Sequence, residues 1–459
     1  MVNLDFFKKY KKIYMIGIGG ISMSGIAEIL KNWNIEVCGS DITNSEIIEN
    51  LRNNNIHITI GHNPEEVKTC DLVVYTAAIK QDDIDLLAAK EAKIPCIERK
   101  ELVGELTKAF SESICISGTH GKTTTSSMIS VCFLNATLDP TIQIGAILNK
   151  INGNYKVGNS KYFILEACEY SESFLSFFPK TEIILNIDND HLDYFKTFDN
   201  IKLAFKKYVE LLPDNGLLVL NADDKNTLEL SKSTKSKFIT YGIENENANF
   251  TAKNISFNDD GFASFEVYKN NTLYGKFELS IPGKHNILNA LACICVCDYY
   301  NINHDTIQKS LKEFTGADRR LEFKGYYNKV KVYDDYGHHP TEIIATSNAI
   351  KNKKYNESWV VFQPHTFSRT KMLLDDFAKA LSNFDHIIIT DIYAAREINT
   401  YGISSKDLAD KINENGKHAL YIKEFDDIVK YLHENVKDND LVLTLGAGTV
   451  TEIGPKIIN

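Results

Sequence analysis

Residues 118–125 read Gly-Thr-His-Gly-Lys-Thr-Thr-Thr, and this run constrains the chain more than any other feature. The preceding Ser-Ile-Cys-Ile-Ser has the apolar, β-branched character of a short buried strand. The following Ser-Ser-Met-Ile-Ser-Val-Cys-Phe-Leu reads as a helix. Strand, glycine-rich loop, Lys-Thr and helix in that order form the mechanical setting of a nucleotide phosphate loop. Backbone N–H groups and the helix N-terminus face the phosphates, Lys122 neutralises β/γ charge, and the Thr123 hydroxyl is suited to Mg2+. The run therefore names ATP as a cosubstrate.

At 459 residues the chain is too long for a single core, and two to three domains are expected. Its net charge of −10 argues against a nucleic-acid or membrane-surface binder. No apolar run reaches the length of a membrane span, and the start, Met-Val-Asn-Leu-Asp-Phe-Phe-Lys-Lys, has no signal-peptide core. Nine scattered cysteines suit reduced thiols and a cytoplasmic location. Cys293, Cys295 and Cys297 alternate and could suggest a metal. On a helix, though, Cys293 and Cys297 share a face and Cys295 points elsewhere, so a buried helix is the better reading.

Three segments each open with strand-and-loop logic, giving an α/β fold of three domains in series: 1–110, 111–318 and 319–459. The first runs from Lys-Ile-Tyr-Met-Ile-Gly-Ile-Gly-Gly through Ile-Glu-Val-Cys-Gly-Ser-Asp and Asp-Leu-Val-Val-Tyr-Thr, with a helical stretch at 82–92. The second carries the phosphate loop and the strand candidates Tyr-Phe-Ile-Leu-Glu-Ala, Glu-Ile-Ile-Leu-Asn-Ile and Gly-Leu-Leu-Val-Leu-Asn. Residues 237–280 alternate more strongly and predict an antiparallel patch within it. The third contains Val-Lys-Val-Tyr-Asp-Asp, Ser-Trp-Val-Val-Phe-Gln, His-Ile-Ile-Ile-Thr-Asp and Leu-Val-Leu-Thr-Leu-Gly.

Four constellations carry chemistry. Gly17, Gly19, Gly20, Ser22, Met23 and Ser24 follow a strand and open a helix, and Asp41 ends the next strand. Such a turn suits a diphosphate, or is simply a tight strand–helix turn; it departs from a dinucleotide fingerprint because Ser22 holds the third glycine position. Glu166 ends a strand and is placed for Mg2+. His191, flanked by Asp190 and Asp193, is either a cation partner or a surface or cap residue. His285, Asn286 and Asn289 open a helix and offer donors and acceptors to a base, with helix capping by Asn286 as the plain alternative. In the third segment, Arg319 and Arg320 precede Asp334-Asp335-Tyr336-Gly337-His338-His339-Pro340. His365 and Arg369 share a face if a helix starts there, and an arginine so presented suits a carboxylate. A solvated loop with scattered charges is the bland reading of the same residues.

Together Gly-Thr-His-Gly-Lys-Thr-Thr-Thr, Glu-Ala-Cys-Glu, Asn-Ile-Asp-Asn-Asp-His-Leu-Asp, Lys-His-Asn-Ile-Leu-Asn-Ala, Asp-Asp-Tyr-Gly-His-His-Pro-Thr-Glu and Phe-Gln-Pro-His resemble the Mur ligases, in the family's order along the chain. The glycine opening and the Asp-Asp-Tyr-Gly-His-His-Pro run resemble the alanine-adding branch. The resemblance implies an N-terminal Rossmann-like UDP-sugar domain, a central P-loop ATPase-type domain and a C-terminal Rossmann-like domain that binds the amino acid. It implies ATP-dependent joining of L-alanine to the carboxylate of UDP-N-acetylmuramate through an acyl phosphate, in peptidoglycan precursor synthesis, with two Mg2+ ions. By the same resemblance, Gly118, Thr119, His120, Gly121, Lys122, Thr123, Thr124, His285, Asn286, Asn289, Arg320 and Asp335 serve ATP, and Gly17, Gly19, Gly20, Ser22, Met23, Ser24 and Asp41 the UDP-sugar. Thr123, Glu166 and His191 hold metal; Lys122, Glu166, His191 and His338 act in catalysis; His365 and Arg369 take alanine's carboxylate.

The chain departs from the family at Cys168, which is no hard oxygen ligand, at Ser22, and at Arg396, often glycine in relatives. Lys202, Lys206 and Lys207 do not match the carbamylated lysine of other members. Two rival readings remain open here. One is a ligase that reattaches recycled murein tripeptide to UDP-N-acetylmuramate; the other is a non-catalytic nucleotide-binding regulatory protein. The sequence does not reveal the oligomeric state.

Overall fold

The structure is a computed structural model that describes residues 2–395 and 397–458, with Asp193 described by its backbone alone. Arg396 lies outside the described residues. The chain divides into two compact units. The first comprises Met1–Asn189, Thr197–Phe250 and Ala292–Ile307; the second comprises Asp190–Lys196, Thr251–Leu291 and Gln308–Asn459.

Unit one holds two sheets. In the first, β1 (Lys12–Ile16), β2 (Glu36–Asp41), β3 (His57–Ile60), β4 (Leu72–Tyr75) and β5 (Cys96–Glu98) lie in the order β3-β2-β1-β4-β5. All its pairings are parallel. The strand order reverses at β1, so a crevice opens at the carboxyl ends of β1 and β4, where a doubly wound sheet receives its ligand. Gly17–Gly20 lies at that end, and Gly20 caps the helix Ile21–Asn32. The helix foreseen at 82–92 spans Ile84–Glu91, because the Asp83 carboxylate accepts from the Asp85 and Leu86 N–H groups and fixes its start.

The second sheet of this unit is built on β6 (Glu112–Ser117), β7 (Thr141–Leu148), β8 (Gly153–Lys156), β9 (Tyr162–Glu166), β10 (Thr181–Ile184), β11 (Leu217–Asn221) and β12 (Lys237–Gly242), in the order β12-β11-β10-β6-β9-β7-β8. Strand β6 sits centrally between β10 and β9, parallel to both. Its residues Ile114–Ile116 are fully buried, which matches their uninterrupted apolar sequence. The helix Lys122–Asn135 follows, with residues 123–133 all buried.

In unit two, β13 (Phe250–Phe257), β14 (Phe262–Lys269) and β15 (Thr272–Pro282) adjoin in the order β15-β14-β13. Within the antiparallel patch foreseen over 237–280, β14 pairs antiparallel with β15, whereas β12 runs parallel to β11. A six-stranded sheet contains β16 (Glu322–Tyr327), β17 (Val330–Asp335), β18 (Ser358–Phe362), β19 (His386–Ile389), β20 (Ala419–Tyr421) and β21 (Leu441–Leu445), in the order β16-β17-β21-β18-β19-β20. Only β16 is antiparallel to its neighbour among these pairs. Alternate residues feed two cores: Val360 and Phe362 join one cluster, Trp359 and Val361 the other. Strands β17 and β18 end in Asp334-Asp335 and Phe362, so the loops after them, which carry His338 and His365, leave the same carboxyl edge.

Among the described residues no helix is long and apolar enough to cross a membrane. None of the nine cysteines is in a disulfide.

Candidate active site

The phosphate loop is held open by backbone geometry that only glycine tolerates. Gly118 has φ +131° and Gly121 φ +85°. A Cβ on Gly118 would also stand 3.1 Å from the Asn186 backbone. Asn186, at the end of the neighbouring strand, clamps the loop: its carbonyl accepts from Thr119 N–H at 3.1 Å, and its side-chain Oδ1 from His120 N–H at 2.8 Å. Its Nδ2 donates to His120 O at 2.9 Å. His120 Nε2 lies 2.9 Å from Asp188 Oδ2.

Lys122 reaches back over this loop. Its Nζ donates to Gly118 O at 2.5 Å and Thr119 O at 3.0 Å, and pairs with Glu169 at 3.0 Å. Burial pulls the amine down, but the carboxylates, Glu169 foremost, outweigh it and hold the amine above its usual value, fully cationic. Glu169 is itself 2% exposed. The sequence reading missed its role, although it lies within the quoted Glu-Ala-Cys-Glu stretch.

Glu166 and Thr123 come together as expected. Thr123 Oγ1 donates to Glu166 Oε2 at 3.1 Å, Ser126 Oγ to Oε1 at 3.3 Å, and Gly145 N–H to Oε1 at 2.5 Å. Gly145 is needed for close approach: a Cβ there would lie 2.9 Å from Glu166 Oε2 and 3.2 Å from Thr123 Oγ1. A hydroxyl and a carboxylate converging beside a phosphate loop are hard oxygen donors, the set that Mg2+ takes together with water and phosphate oxygens. They fit one such ion.

In the first sheet's crevice, Gly17 and Ile18 N–H groups bond Ser40 O, and Asp41 Oδ2 accepts from Gly19 N–H at 2.9 Å. Asp41 thus braces the glycine turn. Ser22 is explained by its neighbours: its Oγ accepts from Arg99 Nη1 at 3.0 Å and Gln143 Nε2 at 2.8 Å. Met23 and Ser24 are buried, and Ser24 N–H is already bonded to Gly20 O. Only the N–H groups of the first helical residues stay available to an anion there.

Unit two holds the second cluster. Asp190 Oδ1 accepts from Arg369 Nη2 at 3.1 Å, and Arg369 Nη1 lies 3.2 Å from His365 Nδ1. The arginine has no lone pair, so His365 Nδ1 is the acceptor and the ring is neutral. Burial, then the neighbouring His338 and Arg369 charges, push His365 down to about 4. The helix here spans Phe367–Met372, so His365 precedes it; the pair meets through the tight turn at Thr366, whose φ is +66°, rather than along a helical face. The Asp190 carboxyl is held well below the usual range; burial opposes this, and Arg369, His191, His339 and His338 drive it. His191 Nε2 is 3.7 Å from Asp190 Oδ2, and His191 starts the short helix Leu192–Phe195 with φ +55°. The Asp193 side chain lies outside what is described.

His338 Nδ1 lies 3.1 Å from Tyr336 O, which places the proton on Nδ1 and a lone pair on Nε2. Burial lowers it to about 4. His339, by contrast, caps the helix Pro340–Lys351. Asp335 is committed to structure: its oxygens accept from Gly337 and Leu321 N–H groups, both at 2.7 Å, and burial raises it to about 6. Arg320 stacks over Tyr336 at 5.3 Å. Arg319 ties the Gly446 and Gly448 carbonyls to Asp334.

Asn286 and Asn289 are also engaged. Asn286 Nδ2 donates to Pro282 O at 2.7 Å, and Asn289 Nδ2 to Asn286 Oδ1 at 2.9 Å. Asn286 is therefore no N-cap of the usual accepting kind. The His285 ring lies against Gly283.

Comparison with known proteins follows the same order along the chain. Residues 12–111 match the Mur ligase family catalytic domain, 116–297 the Mur ligase middle domain, and 319–448 the Mur ligase glutamate ligase domain. The chain is 50% identical over 446 residues to a UDP-N-acetylmuramate–L-alanine ligase of Acetivibrio thermocellus, covering 97% of this chain and 95% of that one. It is 48% identical over 459 residues to the Clostridium botulinum (strain Loch Maree) protein of the same name, covering all of both. A crystal structure of a UDP-N-acetylmuramate–alanine ligase from Thermotoga maritima superposes with a TM-score of 0.82 at 29% identity, over 97% of this chain and 98% of that one. A murein peptide ligase from Psychrobacter arcticus shares the fold, with a TM-score of 0.69 at 23% identity over 98% of each chain. The chain belongs to the Mur ligase family.

Proposed function

We propose that the chain is an ATP-dependent ligase that joins L-alanine to the carboxylate of UDP-N-acetylmuramate, a step of peptidoglycan precursor synthesis. The 50% identity across 97% of the chain to a ligase of that name is the observation that carries this reading. The same similarity disfavours the tripeptide-adding and regulatory alternatives. The assigned domains are 1–110 for the UDP-sugar, 111–318 for ATP and 319–459 for the amino acid. The setting is the cytoplasm, where reduced thiols persist.

A carboxylate is a poor electrophile, so its oxygen first attacks the γ-phosphate, releasing ADP and forming an acyl phosphate. Lys122 follows the moving negative charge; the Glu169 contact keeps it protonated and in place. Thr123 and Glu166 would hold one Mg2+, and His191 would contribute a nitrogen toward a second, each ion supplying further charge neutralisation when bound. The neutral amine of alanine then attacks the acyl carbon, and the tetrahedral intermediate collapses with loss of phosphate. His338, neutral at physiological pH, is assigned to accept a hydrogen bond from that amine at Nε2. A ring lowered to about 4 is too weak a base to keep the proton, so it positions the amine while the proton passes on to solvent or phosphate. Arg369, aligned by His365, takes alanine's carboxylate. The first N–H groups of the helix Ile21–Asn32 serve the UDP diphosphate, presented by the Gly17–Gly20 turn that Asp41 braces.

The test is phosphate release with UDP-N-acetylmuramate and ATP, varying the acceptor among L-alanine, glycine, L-serine and a murein tripeptide. L-Alanine should give the highest kcat/KM. A preference for the tripeptide, or ATP turnover that ignores the amino acid, would overturn the reading.

A further inference from the structure

Behind the phosphate loop, unit one buries three thiols in a group that the ligase reaction does not use. Cys132 belongs to the helix Lys122–Asn135, while Cys293 and Cys297 stand one turn apart on the helix Lys284–Tyr299. Cys132 Sγ is 3.6 Å from Cys293 Sγ, and Cys293 Sγ is 3.8 Å from Cys297 Sγ. All three sulfurs lie within 4.8 Å of one another and their residues are 0% exposed. Cys295 does not join the group, because two residues along a helix turn a side chain by roughly 200°. We propose that Cys132, Cys293 and Cys297 form a binding site for a trivalent thiophilic metalloid, of which arsenous acid is the simplest.

Two arguments select that class. Coordination is the first. The site offers three soft sulfur ligands on two rigid helices, which matches a three-coordinate centre, whereas a structural zinc site closes with four. Charge is the second. The flanking Val131, Phe133, Ile294 and Val296 are all buried and apolar, so net charge in this interior is costly. Three thiolates would leave a monovalent ion at −2 and a divalent ion at −1, but a trivalent centre at zero. Burial already pushes the Cys293 and Cys297 thiols well above their usual range, so an uncharged product is strongly preferred to free thiolates. The reaction balances without oxidation or reduction. Three As–O bonds of As(OH)3 break, three As–S bonds form, and each departing hydroxide leaves as water with one thiol proton. A filled site would fasten the helix that begins at Lys122 to the helix Lys284–Tyr299.

The test is intact-mass spectrometry of the reduced full-length protein after prolonged incubation with sodium arsenite and desalting. Long incubation is needed because entry to a fully buried site requires local opening. Wild type and Cys295→Ala should each retain one arsenic per chain, with the loss of three protons, and Cys132→Ala and the Cys293→Ala/Cys297→Ala double variant none. A second readout on the wild type alone covers variants that misfold. Alkylation after unfolding in the presence of arsenite should spare Cys132, Cys293 and Cys297 among the nine cysteines. Wild type that retains no arsenic, that retains zinc in its place, or that protects a different set of cysteines would overturn the proposal.

Discussion

The phosphate loop and the histidine–arginine cluster handle charge in opposite ways. In the loop, the cation comes from a contiguous motif and the anion from the segment that follows β9. Lys122, part-buried, is matched by Glu169, which is nearly inaccessible to water. In the cluster of unit two no two of the residues Asp190, His338, His365 and Arg369 are close in sequence except His365 and Arg369. The charged core there is one ion pair, Arg369 with Asp190, and the surrounding imidazoles are kept neutral by burial. A rigid loop with a fixed charge suits a cosubstrate whose phosphates are always anionic. A neutral pocket around a single arginine suits a small zwitterion whose amine must lose its proton before it reacts.

Lys122→Ala tests the first half of this contrast and should have the largest effect. Removing the cation should lower turnover by about three orders of magnitude or more, through lost stabilisation of the phosphoryl-transfer transition state, while circular dichroism shows the fold intact. Near-normal turnover in the folded variant would remove the loop from the chemistry. Glu166→Gln should act through the metal instead. It should shift the Mg2+ titration of turnover to higher concentration and leave UDP-sugar affinity nearly unchanged, since Glu166 bonds Thr123, Ser126 and Gly145 and nothing in the first sheet. Collapse of UDP-sugar binding with an unaltered Mg2+ titration would show the assignment to be mistaken.

Arg369→Ala tests the second half. A bidentate guanidinium–carboxylate contact contributes on the order of 2–3 kcal/mol, so the KM for L-alanine should rise roughly 30- to 150-fold with ATP affinity mostly kept. Lysine should rescue only part, lacking the planar fork. The structure adds a refinement: Arg369 already donates from Nη2 to Asp190 and from Nη1 to His365. Asp190→Asn should therefore change alanine KM as well, while a variant at the exposed Lys309 should not. An unchanged alanine KM in Arg369→Ala would mean that the carboxylate is held elsewhere.

The same contrast explains what the sequence made legible. The phosphate loop was readable because its strand, glycines, Lys122 and Thr123 are adjacent, and each has one physical reason to be there. The α/β class and most strands followed from apolar runs such as Ile114–Ile116, buried on both faces. Glu169 was not legible as the Lys122 partner: a carboxylate 47 residues away carries no local periodicity that marks the contact. Asp190 was read as a neighbour of His191, whereas its stronger partner is Arg369, 179 residues on. Asp335 and Asn286 show what local reading leaves out. Both look like ligand-binding groups in sequence, and in the fold both satisfy backbone atoms next to them. Alternation over 237–280 marked half-buried strands without telling how each neighbour runs: β12 is parallel to β11, whereas β14 and β15 pair antiparallel.

The smallest effect concerns stability, and it separates the two regions by pH. His338 and His365 each fall from 6.5 to about 4 in the folded protein. Between those values the unfolded chain binds both protons and the native protein binds neither, so each histidine makes stability rise with pH and fall on acidification. Asp335 opposes them: raised from 3.8 to about 6, it holds a proton in the native state that the unfolded chain has released, so over that window it makes stability fall as pH rises. Two histidines against one aspartate leave a net of one proton between about pH 4 and 6, a slope of ~1.4 kcal/mol per pH unit in favour of the higher pH. The chain has two tryptophans, one in each unit: Trp33 in the first and Trp359 in the second. A Trp33→Phe background therefore makes fluorescence report on unit two alone. In that background, urea unfolding at pH 4.5, 5.25 and 6 should show rising stability. His338→Gln should nearly flatten the dependence, and Asp335→Asn should steepen it to about two protons. A slope that survives His338→Gln unchanged would place the titrating protons outside the cluster and remove the neutral-pocket half of the comparison.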